Sequence, residues 1–205
     1  MQITAIEKRR KFFSALFLDG EFAANIDTET LLKSGLKLGQ SISEEEFEEL
    51  KQASDARRAN EKALYLLEYR SHSKKELIDK IRRTTTLEAA EAAADRMEEL
   101  GLVDDEDFAR RYAAELLNRK GFSVSRTVYE LTHKGIDRDL AQELAEELAD
   151  DPEEKIRAII ERKYLRHLDD EKGIRRTVNA LQRLGYRYEQ IRPVLDDFLE
   201  HGLED

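Results

Sequence analysis

Residues 123–135 read SVSRTVYELTHKG, and 50 positions later residues 173–185 read GIRRTVNALQRLG. In both segments apolar residues recur every three or four positions, which is the period of an α-helix. Each segment closes on a glycine, the residue that most readily adopts the left-handed conformation at the end of a helix. The two segments therefore predict equivalent helices, and the Arg-Thr-Val tripeptide that they share indicates an internal repeat.

The same offset extends the repeat in both directions. Leu144 aligns with Val194, and Ser73 aligns with Ser123. We count nine helices of about three turns each after a polar connector, in three sets of three. Because a three-helix unit of this size buries little surface alone, adjacent units should pack end to end. The predicted fold class is mainly α: tandem three-helix modules in an elongated, curved array, preceded by a small segment that contains a β-hairpin.

The N-terminal segment has a different pattern. Lys11–Leu18 and Glu21–Ile26 are apolar runs joined by Asp19-Gly20, a dipeptide typical of two-residue hairpin turns. Three further elements fit the sequence: strands at Ile3–Ile6 and Leu36–Gln40, and a helical turn at Thr28–Lys33.

A polar helical region is predicted to follow this segment. Ser43 and Glu46 have the spacing of a capping box, and Glu44–Tyr69 contains no proline or glycine, which fits one long helix or two. The middle of this stretch is polar on most faces, which indicates a solvent-exposed connector. The chain is thus divided into a β-containing cap (1–43), a helical connector (44–62) and three-helix modules at 63–102, 103–149 and 150–205.

Charge and composition exclude several classes of protein. The chain has 35 basic and 45 acidic residues and a net charge of −10, and no segment has the strong basic excess of a protein held mainly by phosphate contacts. The absence of cysteine removes disulfides and thiolate metal sites. No apolar run is long enough to span a bilayer. We therefore expect a cytoplasmic monomer without membrane contact.

Several short motifs, taken in their order and spacing, resemble the RecX family. They are Ser73-x-x-Glu76-Leu77, ELGLVDD at 99–105, Phe108-Ala109, Tyr112, Lys120-Gly121, LTHKGI at 131–136, Leu184-Gly185-Tyr186 and Ile191. The resemblance covers about residues 60–200 well, and FLDGEF at 17–22 is similar to the longer N-terminus of some members. No catalytic motif belongs to this family, so no catalytic residue and no cofactor are expected.

The resemblance implies a function as well as a fold. It implies a regulator that binds along the RecA–DNA filament and inhibits the ATPase, recombinase and coprotease activities of RecA in DNA repair and the SOS response. Because the chain is acidic, we expect weak, salt-sensitive contact with bare DNA and tighter binding to the RecA-coated filament.

Basic pairs at helical positions are the candidate contact residues for acidic groups or DNA phosphates of such a filament. They are Arg110, Arg111, Arg119, Lys120, Arg162, Lys163, Arg175 and Arg176. The alternative is that each pair belongs to a solvated face balanced by nearby carboxylates. In the middle module, α-helical spacing predicts that Arg111, Arg119 and Lys120 project together beside the apolar row that begins at Phe108.

Other patterns have simpler explanations. The acids Asp104–Asp107 fit the positive end of a helix dipole better than a calcium loop, which needs spaced oxygen ligands and a glycine. The four histidines have no ligand spacing, so no metal site is predicted. Tyr112, Tyr164 and Tyr186 are interpreted as aromatic residues at the edge of the core.

The residues also bear on three other functions. An enzyme is disfavoured because no phosphate-binding glycine loop, nucleophile elbow or pair of metal ligands occurs. A free-standing DNA-binding protein is disfavoured by the negative charge of every module. A helical-repeat scaffold for an unrelated partner is set aside only by the family resemblance.

Overall fold

The computed structural model describes residues 1–9 and 12–201 of the chain. Two compact units can be separated, Met1–Asp104 and Asp105–Asp205. The first contains a small sheet and four helices, and the second consists of helices and turns. The predicted class, mainly α with a small N-terminal β segment, is confirmed. Over the described ranges, no helix combines the length and the apolar character needed to cross a membrane.

Three antiparallel strands open the chain: β1 (Ile3–Lys8), β2 (Phe13–Leu18) and β3 (Glu21–Asp27). Asp19 and Gly20 join β2 to β3 with φ angles of 50° and 86°, the pair of left-handed residues that a tight hairpin turn requires. The predicted hairpin is confirmed. The short helix α1 (Thr28–Ser34) follows β3 directly, as expected. Lys11, the predicted beginning of β2, lies outside the described residues.

The predicted strand at Leu36–Gln40 is wrong. The segment forms turns, and Gly39 has a left-handed φ of 85°. It nevertheless contacts the start of β1, because the Ile3 N–H donates to the Gln40 carbonyl and the Gly39 N–H donates to the Ile3 carbonyl, both at 2.8 Å. The left-handed glycine prevents the segment from continuing as an extended strand.

One uninterrupted helix, α2 (Glu44–Tyr69), spans the region for which one helix or two were expected. The Glu46 N–H donates to the Ser43 Oγ at 3.0 Å, and the Ser43 N–H donates to the Glu46 carboxylate at 2.8 Å. These two bonds confirm the predicted capping box. The bond from the Ser43 N–H, followed by the Ser43 side chain, also lowers the pKa of the Glu46 carboxyl, because hydrogen bonds to the carboxylate favour its charged form.

The interpretation of residues 44–62 as a solvent-exposed connector is wrong for one face of α2. Leu50, Ser54 and Ala59 are at most 7% exposed. The N-terminal half of the helix packs against β3 and α1, and the C-terminal half packs against α4 (Leu87–Glu99). Serine and alanine supply most of this buried face, so the helix lies close to its neighbours without the large apolar residues that mark a buried face in sequence.

Eight helices follow α2 in the described part of the chain. They are α3 (Lys74–Ile81), α4, α5 (Asp105–Ala114), α6 (Val124–His133), α7 (Arg138–Glu147), α8 (Pro152–Lys163), α9 (Glu171–Arg183) and α10 (Tyr188–His201). A π-helical turn, Glu115–Lys120, continues α5, and a 3-10 turn, Leu165–His167, follows α8. The first of the nine predicted helices is not a separate element, since it is the C-terminal part of α2.

Each set of three helices buries its own apolar cluster, the first with α2, α3 and α4, the second with α5, α6 and α7, and the third with α8, α9 and α10. Positions that the repeat aligns are buried alike: Ile81, Leu131 and Leu181 are all fully buried. Gly135 and Gly185 both end their helices with positive φ angles, 90° and 96°. The predicted three-helix repeat is therefore confirmed at the level of its packing.

Candidate partner-binding surface

The eight basic residues selected from the sequence all lie at exposed positions of the second unit. Four belong to α5 and its π turn, two end α8, and two lie on α9: Arg110, Arg111, Arg119 and Lys120; Arg162 and Lys163; Arg175 and Arg176. They are thus distributed over two modules. Some lie beside carboxylates, and Lys120 lies beside aromatic rings.

Four of these arginines are paired with carboxylates. Three pair with an acid one turn earlier on the same helix: Arg111 with Asp107, Arg119 with Glu115, and Arg175 with Glu171. Arg110 reaches from α5 to Glu147 of α7 at 2.7 Å, and this hydrogen bond raises the pKa of the Arg110 guanidinium. Exposed pairs contribute little to stability. Their arrangement agrees with the alternative of balanced, solvated faces.

Lys120 lies instead beside aromatic rings. Its ammonium nitrogen is 5.6 Å from the ring centre of Tyr112 and 5.9 Å from that of Phe122. The ammonium nitrogen of Lys134 approaches the same Tyr112 ring at 5.8 Å. Cations within about 6 Å of a ring centre are attracted to the negative face of the ring. Tyr112 therefore interacts with two ammonium groups that come from different helices.

The N-terminal half of α6 extends this arrangement. The guanidinium carbon of Arg126 is 5.5 Å from the ring centre of Phe122 and 5.1 Å from that of Tyr129. Arg126 also pairs with Glu130 at 2.6 Å. We call the whole set the basic-aromatic cluster; its members are Tyr112, Lys120, Phe122, Arg126, Tyr129 and Lys134. It presents three cations and four aromatic rings, counting the His133 imidazole that stacks on Tyr129 at 4.0 Å.

Two backbone features position this cluster. The π turn Glu115–Lys120 uses longer-range hydrogen bonds than an α-helix, which changes the angular spacing of its side chains. Gly121, with a φ of 72°, then ends the helix, and Ser123 caps α6 by accepting the N–H of Arg126 at 3.3 Å. The expected edge of Arg111, Arg119 and Lys120 rested on α-helical spacing that the π turn interrupts, and it stays a prediction.

Sequence reasoning missed Arg126 and Lys134. Arg126 had a local signal, because it follows Phe122 by four residues and precedes Tyr129 by three, the spacings that bring side chains together on a helix. Lys134 had none, since Tyr112 lies 22 positions earlier and only the packing of α6 against α5 brings the two side chains together.

Helix ends account for several other charged residues. Arg162 and Lys163 occupy the last turn of α8, where cations interact favourably with the negative end of the helix dipole. Asp105, Glu106 and Asp107 occupy the first turn of α5, as the dipole interpretation predicted. Within residues 1–9 and 12–201, no group of three or more histidine and acidic side chains is placed to hold a metal ion.

Two of the three tyrosines lie at the edge of the core as predicted, whereas Tyr186 is buried within it. Tyr112 and Tyr164 are partly buried against the cores of their own modules. Tyr186 is 4% exposed, and burial, helped by the charge of Asp150, raises the pKa of its hydroxyl to about 12. Tyr112 additionally holds the cations described above, so the same ring serves the core and the surface.

The chain is similar in sequence to proteins named RecX. Residues 104–144 match the family model "RecX, second three-helix domain", and this range contains the whole basic-aromatic cluster. A protein of Caldanaerobacter subterraneus subsp. tengcongensis named "Regulatory protein RecX" is 29% identical over 202 residues, which cover 96% of this chain and 99% of that protein. A protein of the same name from Clostridium botulinum (strain Eklund 17B) is 26% identical over 206 residues, covering 98% and 96%.

Two solved structures share the fold. A crystal structure of regulatory protein RecX aligns with a TM-score of 0.61 and 19% identity, covering 95% of this chain and 98% of that one. RecX from Lactobacillus salivarius aligns with a TM-score of 0.58 and 23% identity, covering 71% and 97%. The middle module matches the family model and relatives of that name align almost from end to end, so the chain is similar along its length to the RecX family of regulatory proteins.

Proposed function

We propose that this protein binds the RecA filament on DNA and inhibits the ATPase, recombinase and coprotease activities of RecA, and so acts in DNA repair and the SOS response. Similarity to the RecX family supports regulation, and the resemblance of its motifs supports RecA as the partner. We further propose that the protein acts as a monomer in the cytoplasm.

The observation that carries this proposal is the basic-aromatic cluster. In a chain with a net charge of −10, Lys120, Arg126 and Lys134 converge on neighbouring rings of the one module that matches the family model. Rings hold the cations in place before binding, so less side-chain freedom is lost when a partner docks. Arg126, half-buried beside Tyr129, provides charge, and Tyr129, which is 49% exposed, provides the kind of aromatic anchor enriched at interfaces.

The eight basic residues predicted from the sequence remain candidate contact residues under this proposal. Lys120 belongs to the cluster and ranks first among them. The paired arginines rank below Lys120, because a partner must compete with the carboxylates that already neutralise them, as Glu147 does for Arg110. The same competition applies to Arg126 of the cluster, which pairs with Glu130. Contact with DNA phosphates inside the filament is compatible with the same residues, since arginine and lysine recognise phosphate and carboxylate alike.

The test adds purified protein to RecA filaments on single-stranded DNA and follows ATP hydrolysis. We expect the parent protein to inhibit hydrolysis, and the triple variant Lys120→Gln/Arg126→Gln/Lys134→Gln to need roughly tenfold more protein for half inhibition. The control triple Lys33→Gln/Lys37→Gln/Lys51→Gln removes the same charge from the first unit and should inhibit like the parent. Failure of the parent to slow hydrolysis would refute the proposed function.

A further inference from the structure

The N-terminal sheet has one face over an apolar core and a second face on which phenylalanine rings are partly exposed around the buried Ala15. Leu16 and Leu18 of β2 point into the apolar core beneath the sheet. Phe13 and Phe17 alternate with them and are only half buried, and Phe22 of β3, opposite Phe17, is 55% exposed. The Phe17 and Phe22 rings meet edge to face, with centres 5.9 Å apart and planes at 77°. Large rings in this position have no packing role in the core.

Polar groups border these rings and form an open cavity with them. The cavity has a volume of about 760 Å³ and is lined by Arg9, Phe13, Phe22, Asn25 and Arg58. The guanidinium carbon of Arg58 lies 4.8 Å from the ring centre of Phe13. Asp55 holds this guanidinium at 2.9 Å, and the Thr84 carbonyl accepts a second bond from it. The cavity thus has a fixed cation on one side, and its size is in the range of small-molecule sites.

The N-terminal region, residues 1–43, has a small positive net charge, whereas the whole chain is negative. Lys8 and Arg9 are exposed and open a run of four basic residues, Lys8–Lys11, directly before Phe12. Phe12 itself is 75% exposed. Residues 1–43 contain six basic and five acidic residues, whereas the entire chain has a net charge of −10. Of the five segments into which the sequence is divided, residues 1–43 therefore favour a negatively charged ligand most.

We propose that this sheet face binds single-stranded DNA, with bases stacked on Phe13 and Phe22. Phosphates would bind Arg9 and Arg58 in competition with the carboxylates of Glu7 and Asp55, which pair with these arginines in the free protein. Exposed aromatic rings next to arginines are the combination that accommodates unpaired bases, because every base offers a flat face for stacking. The side-chain amide of Asn25 can hydrogen-bond to a base edge. A duplex keeps its bases stacked on one another, so it cannot use the rings. The choice of DNA over other single strands rests on the proposed function.

The test measures binding of the full-length protein to a short fluorescent oligothymidine by anisotropy at low ionic strength. We expect Phe22→Leu, which removes the ring but keeps an apolar side chain, to weaken binding roughly tenfold. Tyr69→Leu removes a still more exposed ring elsewhere in the first unit and should bind like the parent. Arg9→Gln should make the slope of log affinity against log salt concentration less steep, by the amount that corresponds to one lost phosphate contact. Circular dichroism of each variant verifies that the fold is intact.

Three results would overturn the inference: equal affinity of Phe22→Leu and the parent, a preference of the parent for duplex DNA, or binding to phosphatidylserine vesicles without binding to oligothymidine. The RecA assay separates this inference from the proposed function. Inhibition of ATP hydrolysis by a parent that does not bind oligothymidine would refute the inference alone. Phe22-dependent binding without any effect on RecA would support the sheet site and refute the proposed function.

Discussion

The backbone of Gly185 lies directly against the hydroxyl group of Ser123, so no side chain fits between the turn before α10 and the N-terminus of α6. The Ser123 N–H donates to the Leu184 carbonyl at 2.9 Å, while the Ser123 Oγ accepts the N–H of Arg126 at 3.3 Å. A Cβ at position 185 would lie 2.6 Å from the Cβ of Arg126. The N-cap residue of α6 in the second module is thus joined to the turn between α9 and α10 in the third.

We expect Gly185→Ala to lower the free energy of unfolding by about 3 kcal/mol or more. A left-handed conformation is unfavourable by roughly 1–2 kcal/mol for a residue with a Cβ, and a collision in a packed region adds roughly 1–3 kcal/mol. Urea unfolding followed by circular dichroism measures the change. Gly101→Ala is the matched control, because Gly101 has a φ of 67° but no atom within 4 Å of its Cβ position. Equal losses for the two variants would contradict a tight junction.

Local signals explain which parts of the fold were predictable. The Asp19-Gly20 turn, the capping box at Ser43 and the glycine at the end of α9 each depend on backbone geometry within a few residues. Such geometry restricts the residue types at fixed spacings, so the sequence alone indicates it. The repeat was also visible, because equivalent helices bury equivalent positions such as Leu131 and Leu181.

Features that depend on packing were not predictable in the same way. The buried face of α2 carries Ser54 and Ala59, which have no apolar signature in a polar helix. The π turn after α5 leaves no obvious mark in the sequence. Lys134 and Tyr112 meet only because two helices pack together. The basic-aromatic cluster therefore combines Lys120, which the sequence indicated, with Arg126, which had only a local spacing signal, and Lys134, which the tertiary structure adds.

Ser54 provides a test of the corrected description of α2. This residue is 2% exposed, and its hydroxyl accepts the N–H of Asp27 at 2.8 Å. We expect Ser54→Ala to reduce the free energy of unfolding by about 1–3 kcal/mol, because the Asp27 N–H would stay buried without an acceptor. Thermal and urea unfolding give the value. Gln52→Ala, at an exposed position of the same helix, should change stability by no more than about 0.5 kcal/mol.

The edge predicted from helical spacing can be separated from the basic-aromatic cluster by comparing two double variants. Arg111→Gln/Arg119→Gln removes two exposed, paired guanidinium groups, so stability should change by about 0.5 kcal/mol at most. We expect this variant to inhibit RecA ATP hydrolysis better than Lys120→Gln/Arg126→Gln does. The half-inhibiting concentrations of the two variants decide the ranking. If Arg111→Gln/Arg119→Gln inhibits less well than Lys120→Gln/Arg126→Gln, the interface lies at the edge of α5.

His72 links the stability of the first unit to pH. The imidazole is 2% exposed, and its Nδ1 lies 2.8 Å from the Arg70 carbonyl, so Nδ1 carries the proton of the neutral ring. Nε2 is buried without a hydrogen-bond partner among the described residues. Burial lowers the pKa of His72 below its ordinary value of 6.5, and the nearby charges of Arg70, Glu76 and Lys80 have smaller effects of mixed sign.

This lowered pKa predicts a loss of stability in mild acid. As the pH falls below 6.5, the unfolded chain binds a proton at His72 and the folded chain does not, so the free energy of unfolding decreases until the folded pKa is reached. The decrease is at most about 1.4 kcal/mol per pH unit. Urea unfolding of the parent and of His72→Gln between about pH 7.5 and 5.5 measures it; the variant should show a shallower pH dependence. Ser71→Ala, at the exposed neighbouring position, controls for general effects of altering this loop. Parallel pH profiles for the parent and His72→Gln would show that His72 is not the responsible group.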